Sequence, residues 1–287
     1  MEYTGIKELS STNASYTVDL LCQLTGVSRS GYYKWLKRSR TLTDADIEEL
    51  KLKDKISECY MKSRCTYGLP RIKLWLRARG IIVNHKRIYR LMKELNIRAI
   101  IRRKRKKLPK VPEAIIAENI LNRDFAASAP NQKWVADVTQ LRFGWKPLYL
   151  CTILDLFNNE VVAYTVGNQN SAEFVIGTFK HAIAGKKIEK LIFHSDRGAN
   201  FTSKRFQETL LEYGIEPSMS RTGNCWDNAC IESFFSHLKA ETFYLENLQT
   251  EAEIRKAISR YIHWYNNERI QLKLGSSPVA YRRRNAA

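Results

Sequence analysis

From residue 131 onward, three strand-like runs follow one another almost without pause. They are WVADVTQLRF (134–143), LYLCTILDLF (148–157) and EVVAYTVG (160–167). β-Branched and aromatic residues dominate them, and only short polar turns lie between, so they predict an antiparallel meander. The pattern then changes. SAEFVIGTFKHAIAG (171–185) predicts a helix with Val175, Phe179, Ala182 and Ile183 on one face and Gly185 at its end. A strand (KLIFHS, 190–195), a helix near 203–213 and a short strand (IEPSMS) follow. Three sequential strands and then alternating helices and strands describe an α/β unit, a mixed five-stranded sheet flanked by helices.

Before this unit the chain reads as all-α and basic. The net charge is +19, and residues 1–110 hold 27 Lys+Arg against 10 Asp+Glu, whereas residues 111–287 hold 21 against 19. A basic arm on a nearly neutral body suits a protein that grips phosphates with one part and works on them with another. Residues 16–38 show a helix-turn-helix-like (HTH-like) pattern: a helix ending near Gly26, Ser28 as a cap, and a second helix carrying Tyr32, Tyr33 and Trp35. In residues 44–97, Pro70 opens a helix that Gly80 stops. Asn84 then caps another, with Ile88, Leu91, Met92 and Leu95 on one face and Lys86, Arg87, Arg90 and Lys93 on the other. Lys86, Arg87 and Arg90 are therefore candidate DNA contacts. Residues 98–112 hold eight basic residues, no acid and two prolines, a run that repels itself and reads as a linker tracking DNA backbone. Its contacts would be Arg102, Arg103, Lys104, Arg105, Lys106 and Lys107.

The expected organisation is an HTH-like segment (1–45), a helical basic DNA-binding domain (46–97), a polybasic linker (98–130), the sheet-bearing core (131–250) and a helical C-terminal extension (251–287). No stretch reads as a membrane span. The six cysteines form no regular framework, which points to reduced thiols in a cytoplasmic protein.

Three acids stand out. Asp137 shares a strand face with Val135 and Thr139, and Asp196 follows the strand KLIFHS, where ligand sites of open α/β sheets gather. Glu232 lies on a helix beginning near Asp227, in a polar stripe with Asn228, Ser236 and Lys239, beside the apolar stripe of Ile231, Phe234, Phe235 and Leu238. Three carboxylates brought together suit two Mg²⁺ ions, with Mn²⁺ as a substitute, acting on a scissile phosphate. Lys239 and Asn228 would then meet DNA. Spacing alone proves little, because five Asp and fourteen Glu follow residue 110. Asp155 is a rival acid that reads better as a hairpin-end residue. Cys225, Cys230 and His237 would make a poor zinc site, so no zinc is expected. Trp226, Trp264 and Tyr265 suit base stacking or core packing.

The flanks of these acids are distinctive. WVADVTQL, HSDRGANFTS, SRTGNCWDNACIESFFSHLKAE and YIHWYNNERIQLKLGSSPVAY, in that order, resemble the second-frame (OrfB-type) transposase of the insertion-sequence-three family, over about residues 16–283. The resemblance implies a retroviral-integrase-like, ribonuclease-H-like core with Asp137, Asp196 and Glu232 as its acidic triad. It also implies cutting and joining at the terminal inverted repeats of a mobile element, and a homo-oligomer on DNA. An upstream-frame HTH and leucine-zipper protein or fusion is the further partner implied, since no zipper heptad is visible in this chain. Ala136, Asn200, Phe201 and Gln271 depart from the family's commoner residues. Two other readings stay open: a non-catalytic DNA-binding regulator derived from such an element, and a structure-specific nuclease on the same fold.

Overall fold

The computed structural model describes residues 2–12, 16–40, 43–100, 117–143, 146–186, 188–221, 225–243 and 245–285. The expected phosphate contacts Arg102 to Lys107 lie outside these residues.

The arm begins with three helices, α1 (Glu2–Thr12), α2 (Val18–Thr25) and α3 (Arg29–Arg40). Thr17 accepts the Leu20 N–H to start α2, and Gly26 ends it in the left-handed region at φ 70°, where a side chain is costly. The Ser28 hydroxyl accepts the Gly31 N–H at 3.0 Å and opens α3. Ile6, Leu21, Cys22 and Tyr32 form a small separate core, with the Tyr3 ring stacked 5.7 Å from Trp35.

Helices α4 (Asp44–Lys62), α5 (Leu69–Arg77) and α6 (His85–Glu94) follow. A capping box between Thr43 and Asp46 starts α4, Pro70 sits in the first turn of α5, and Asn84 accepts the Lys86 N–H to start α6. Their apolar stripes meet at Ile56, Ile72, Leu76, Ile88 and Leu91, all fully buried. This core is continuous with the body through Val135, Ile231, Phe234, Ile258 and Tyr261. The arm is packed onto the core.

Strands β1 (Lys133–Phe143), β2 (Lys146–Asp155) and β3 (Glu160–Gly167) form the antiparallel meander. β4 (Ile192–Ser195) and β5 (Glu216–Met219) add in parallel on the other side of β1, giving one five-stranded sheet in the order β3-β2-β1-β4-β5. Side-chain alternation sorts its two faces, except where an irregularity in the β2–β3 pairing between Ile153 and Leu154 puts Val161 and Ala163 on opposite sides. Trp134, Ala136, Ile153 and Ala163 face α7 (Ala172–Ile183) and α8 (Lys204–Glu212), around edge-to-face contacts among Phe179, Phe193 and Phe206. Val135, Leu150, Leu154 and Val161 face α9 (Ala229–Leu238) and α10 (Glu251–Asn267). A short 3-10 turn, Cys225–Asn228, precedes α9, which begins at Ala229, near Asp227 as expected. A π-helical turn, Lys239–Phe243, continues it, and α11 (Pro278–Asn285) closes the described chain.

The YNNER string acquires a mechanical meaning. Asn266 Oδ1 accepts the Val161 N–H at 3.0 Å and its Nδ2 donates to the Val161 carbonyl at 2.9 Å, so one amide imitates a neighbouring strand on edge strand β3. Arg255 donates to the Val166 carbonyl on the same edge at 2.7 Å. Arg269 is fully buried and binds Glu241 through Nε at 2.8 Å and Nη2 at 2.5 Å, while the Tyr261 hydroxyl donates to Glu241 at 2.9 Å. The next residue reaches the arm: the Ile270 N–H donates to Tyr67 Oη at 2.7 Å, and Arg71 Nε donates to the Ile270 carbonyl at 3.0 Å.

Candidate active site

The pairing of β1 with β4 aligns Ala136 with Ser195, so the next residues on the two parallel strands, Asp137 and Asp196, emerge side by side. Asp137 points to the α9 face, as the alternation of β1 requires. The Asp196 carboxylate accepts the Gly198 N–H at 2.9 Å and closes a tight turn after β4. A Cβ at position 198 would stand only 3.0 Å from Asp196 Oδ1, so glycine is what lets the backbone approach the acid. Across the sheet end, α9 buries Ile231, Phe234, Phe235 and Leu238 and leaves Glu232 exposed.

Electrostatics ties these groups together. Burial pushes the Asp137 carboxyl well above its ordinary value, and the charges of Asp196 and Glu232 push it further; the Val138 N–H and Lys239 pull against them. Burial raises Asp196 as well, opposed by the Gly198 N–H. Lys239 Nζ donates to Thr139 Oγ1, two residues along β1 from Asp137. Two acids held close at the cost of their own ionisation form a site that a cation would relieve. Among the described residues, no three His, Cys, Asp or Glu side chains gather into a ready-made metal cage. The donor set still fits magnesium, a hard ion that is content with one or two carboxylates, waters and substrate phosphate.

Other candidates fall in different places. Asn228, expected at DNA, is buried and turned inward, where Nδ2 lies 3.4 Å from the Ala136 carbonyl and braces α9 against β1. Asp155 is buried at the far end of β2, accepting the N–H groups of Asn131 and Phe157 at 2.9 and 3.0 Å. That is the hairpin-end role its position predicts. Trp264 and Tyr265 are core residues, whereas Trp226 is exposed. Cys230 is half-buried, and His237 Nδ1 lies 3.6 Å from Glu241. On α6, Lys86 is exposed, but Arg90 is held by Glu49 at 2.5 Å and by Glu94 at 3.2 Å, and Arg87 stands 3.8 Å from Glu49. Of the departing residues, Ala136 and Phe201 are packed in the core, Asn200 bonds to Asn170, and Gln271 bridges to Ser276.

Two residues escaped the sequence reading. His194 is fully buried with Nδ1 2.9 Å from Ser218 Oγ and Nε2 3.1 Å from Ser220 Oγ, two residues before Asp196. Asp227 is fully buried and binds the Arg221 side chain, the Arg221 N–H, Arg123 and Asn119. Hydrogen bonds from Arg221 hold its carboxyl far below the usual range against the cost of burial. The signal for Asp227 was visible in CWDN, where a second acid stands five residues before Glu232. For His194 no signal exists, because its partners come from β5 and the residue after it.

Burial holds His194 down to about 4, with the Asp227 charge working the other way. A histidine depressed in the fold stabilises it fully above the unfolded value near 6.5 and loses that contribution as pH falls toward 4. Melting between pH 7 and 4 should therefore fall more steeply for the natural protein than for His194→Gln. Parallel melting curves would remove this role.

Comparison with known proteins agrees with the architecture. An integrase core domain model matches residues 127–225, a second integrase core domain model matches 232–285, and an HTH-like domain model matches 47–105. The chain is 39% identical over 282 residues to the putative transposase InsK for insertion sequence element IS150 of Escherichia coli (strain K12), covering 96% of this chain and 97% of that one. It is 31% identical over 293 residues to transposase InsF for insertion sequence IS3A of the same organism, covering 100% of both. Among solved structures, the simian T-cell lymphotropic virus intasome in complex with PP2A regulatory subunit B56 gamma aligns at TM-score 0.48 and 17% identity, over 73% of each chain. The HTLV-2 integrase catalytic core domain in complex with magnesium aligns at 0.44 and 22%, over 54% of this chain and 97% of that one. The assignment rests on the full-length sequence relatives: this chain belongs to the insertion-sequence-three (IS3) family of transposases.

Proposed function

We propose that Asp137, Asp196 and Glu232 are the catalytic carboxylates with which this transposase cuts DNA at the 3′ ends of an element's terminal inverted repeats and joins those ends to a new strand. The observation that carries this reading is the β1–β4 register, which sets Asp137 beside Asp196 under the helix that bears Glu232. The three acids would hold two divalent ions, Mg²⁺ or Mn²⁺, which supply an activated attacking oxygen and charge stabilisation at the leaving one. The chain's own residues position and exclude. β1, the end of β4 and α9 fix the carboxylates, Asn228 braces α9 on β1, and Lys239, aligned by Thr139, faces an incoming phosphate. No covalent protein intermediate is needed: water attacks in the cutting step, and a DNA 3′-hydroxyl in the joining step. Copies of the chain assemble on the paired ends in the bacterial cytoplasm, with an upstream-frame HTH and leucine-zipper protein or fusion adding end recognition.

The test is cleavage and joining of labelled terminal-repeat DNA with Mg²⁺ or Mn²⁺. Product at the element's 3′ end, followed by joined product, is expected. Tight binding with no metal-dependent cleavage would instead favour the DNA-binding regulator.

The arm supplies the phosphate grip through α6 and the polybasic run 98–112. Lys86 is exposed with no acidic partner among the described residues, whereas Arg90 already serves Glu49. Lys86→Ala should lower the slope of log affinity against log salt by about 0.9, the share of one phosphate contact. An unchanged slope would take Lys86 off the DNA.

A further inference from the structure

Arg197, the residue after Asp196, lines a second feature, a cleft of about 440 Å³ that it shares with Ala117, Glu118, Asn119, Asn122 and Arg221. It forms because the segment after the polybasic run is stapled to the free edge of β5. The Met219 N–H donates to the Glu118 carbonyl at 3.3 Å, and the Leu121 N–H donates to Ser218 Oγ at 3.1 Å. Asn119 Nδ2 donates to Asp227 at 2.9 Å, and Arg123 Nε does so at 2.8 Å. One wall of the cleft is therefore where the basic linker joins the core. The opposite wall comes from the two loops that deliver the catalytic acids. Arg197 directly follows Asp196 and is fixed through Nε to the Ser220 carbonyl at 2.7 Å. Arg221 is clamped on Asp227, the residue that leads through Asn228 into α9 and Glu232.

The charge balance selects a ligand. Arg197 and Arg221, with Arg123 next to Asn122, bring three positive charges. Asp227, whose oxygens are taken up by Arg221, Arg123 and Asn119, and Glu118 bring two negative ones. Among these described residues the balance is one positive charge beside the side-chain amides of Asn119 and Asn122, donors suited to the oxygens of a phosphodiester. The volume lies in the range of small-ligand clefts, with room for roughly one nucleotide. We infer that this cleft is a DNA-backbone subsite, holding one internal phosphodiester of the strand being processed, next to the scissile bond, between Arg197, Arg221 and Asn122. This rests on the cutting and joining reading above. The end of the linker then leads the strand past the arginines and into the carboxylates.

Methylphosphonate substitution, which removes the charge of one DNA linkage at a time, tests the subsite in the full-length protein. Scanned along the strand near the cleavage point, one position should lower joining by the natural protein about tenfold, roughly the worth of one charge-assisted hydrogen bond. In Arg197→Gln the same position should matter little, while other positions keep their effect. Asn122→Asp supplies the converse. Asn122 is an exposed turn residue with φ 40°, a conformation aspartate tolerates, so the substitution adds a negative charge at the rim without disturbing the core. Joining of natural DNA should fall about three- to tenfold, and the neutral linkage at that one position should restore it. Equal sensitivity of the natural protein and Arg197→Gln at every position, or an Asn122→Asp loss that no neutral linkage relieves, would overturn the subsite. Failure of the natural protein to cut any terminal-repeat DNA would overturn the parent reading, a separate outcome.

Discussion

Asp137→Asn should stop cleavage and joining, by a factor on the order of 10³ or more, and yet leave a protein that melts at a higher temperature. Both effects follow from one cause. In the folded chain, burial and the charges of Asp196 and Glu232 push the Asp137 carboxyl well above its ordinary value. The folded state thus holds this proton to higher pH than the unfolded chain does. Its contribution to stability is full in acid and is lost as pH rises through the folded value, so at neutral pH the ionised group opposes folding. Asparagine keeps the shape and removes the charge. A rise of a few degrees is the usual scale for relieving such a site. Divalent metal gives a readout that needs no turnover. Mg²⁺ should raise the melting temperature of the natural protein, since an ion that binds only the folded state stabilises it, and should shift Asp137→Asn much less. Equal shifts in both, or an Asp137→Asn variant that melts lower than the natural protein, would remove Asp137 from the site.

The largest stability loss should come from Arg269→Met, far from the chemistry. Arg269 and Glu241 are both buried, joined by two hydrogen bonds, with Tyr261 completing the acid's shell. Burial alone would push Glu241 up, but the bonds and charge from Arg269 outweigh it and leave the carboxyl below its ordinary value. A depressed carboxylate stabilises above its unfolded value and loses that contribution as pH falls through the folded one. Removing Arg269 strands an acid in the core, at a cost of about 3–5 kcal/mol. For a chain this size that corresponds to roughly 10 °C in melting temperature. The double variant Glu241→Leu/Arg269→Met should recover a good part of the loss, because replacing both partners of a buried pair is far milder than breaking it. If Arg269→Met melts within about a degree of the natural protein, the pair is not what holds this corner.

The legibility of the chain followed the range of the interactions. The three-strand meander, the helix after it and the faces of β1 were readable because alternation and helical stripes are local. So were the caps at Asn84 and Gly26. The acids Asp137, Asp196 and Glu232 drew attention through their flanks, and the fold sets the first two side by side through a parallel pairing that no local pattern encodes. What could not be read was long-range polar pairing. Asn228 looked like a surface residue on a polar stripe, but the strand it faces is 92 positions away. His194 is held below its ordinary value by burial, and the two serines at its ring nitrogens are distant in sequence. Arg90 read as a free cation, since nothing nearby announced that Glu49 would sit against it. Trp264 and Tyr265 suited stacking or core, and only tertiary packing decided: Tyr265 meets Phe234 of α9, and Trp264 lies under Arg64 of the arm.

The Asn266 amide and the Glu118 carbonyl have a consequence for assembly. One occupies an outer strand of the sheet at Val161, with Arg255 at Val166, and the other meets the opposite outer strand at Met219. An open outer strand invites another copy to zip onto it. Here the chain's own side chains and its segment 118–121 occupy part of both outer edges. Another copy of the chain would find those edge positions already taken.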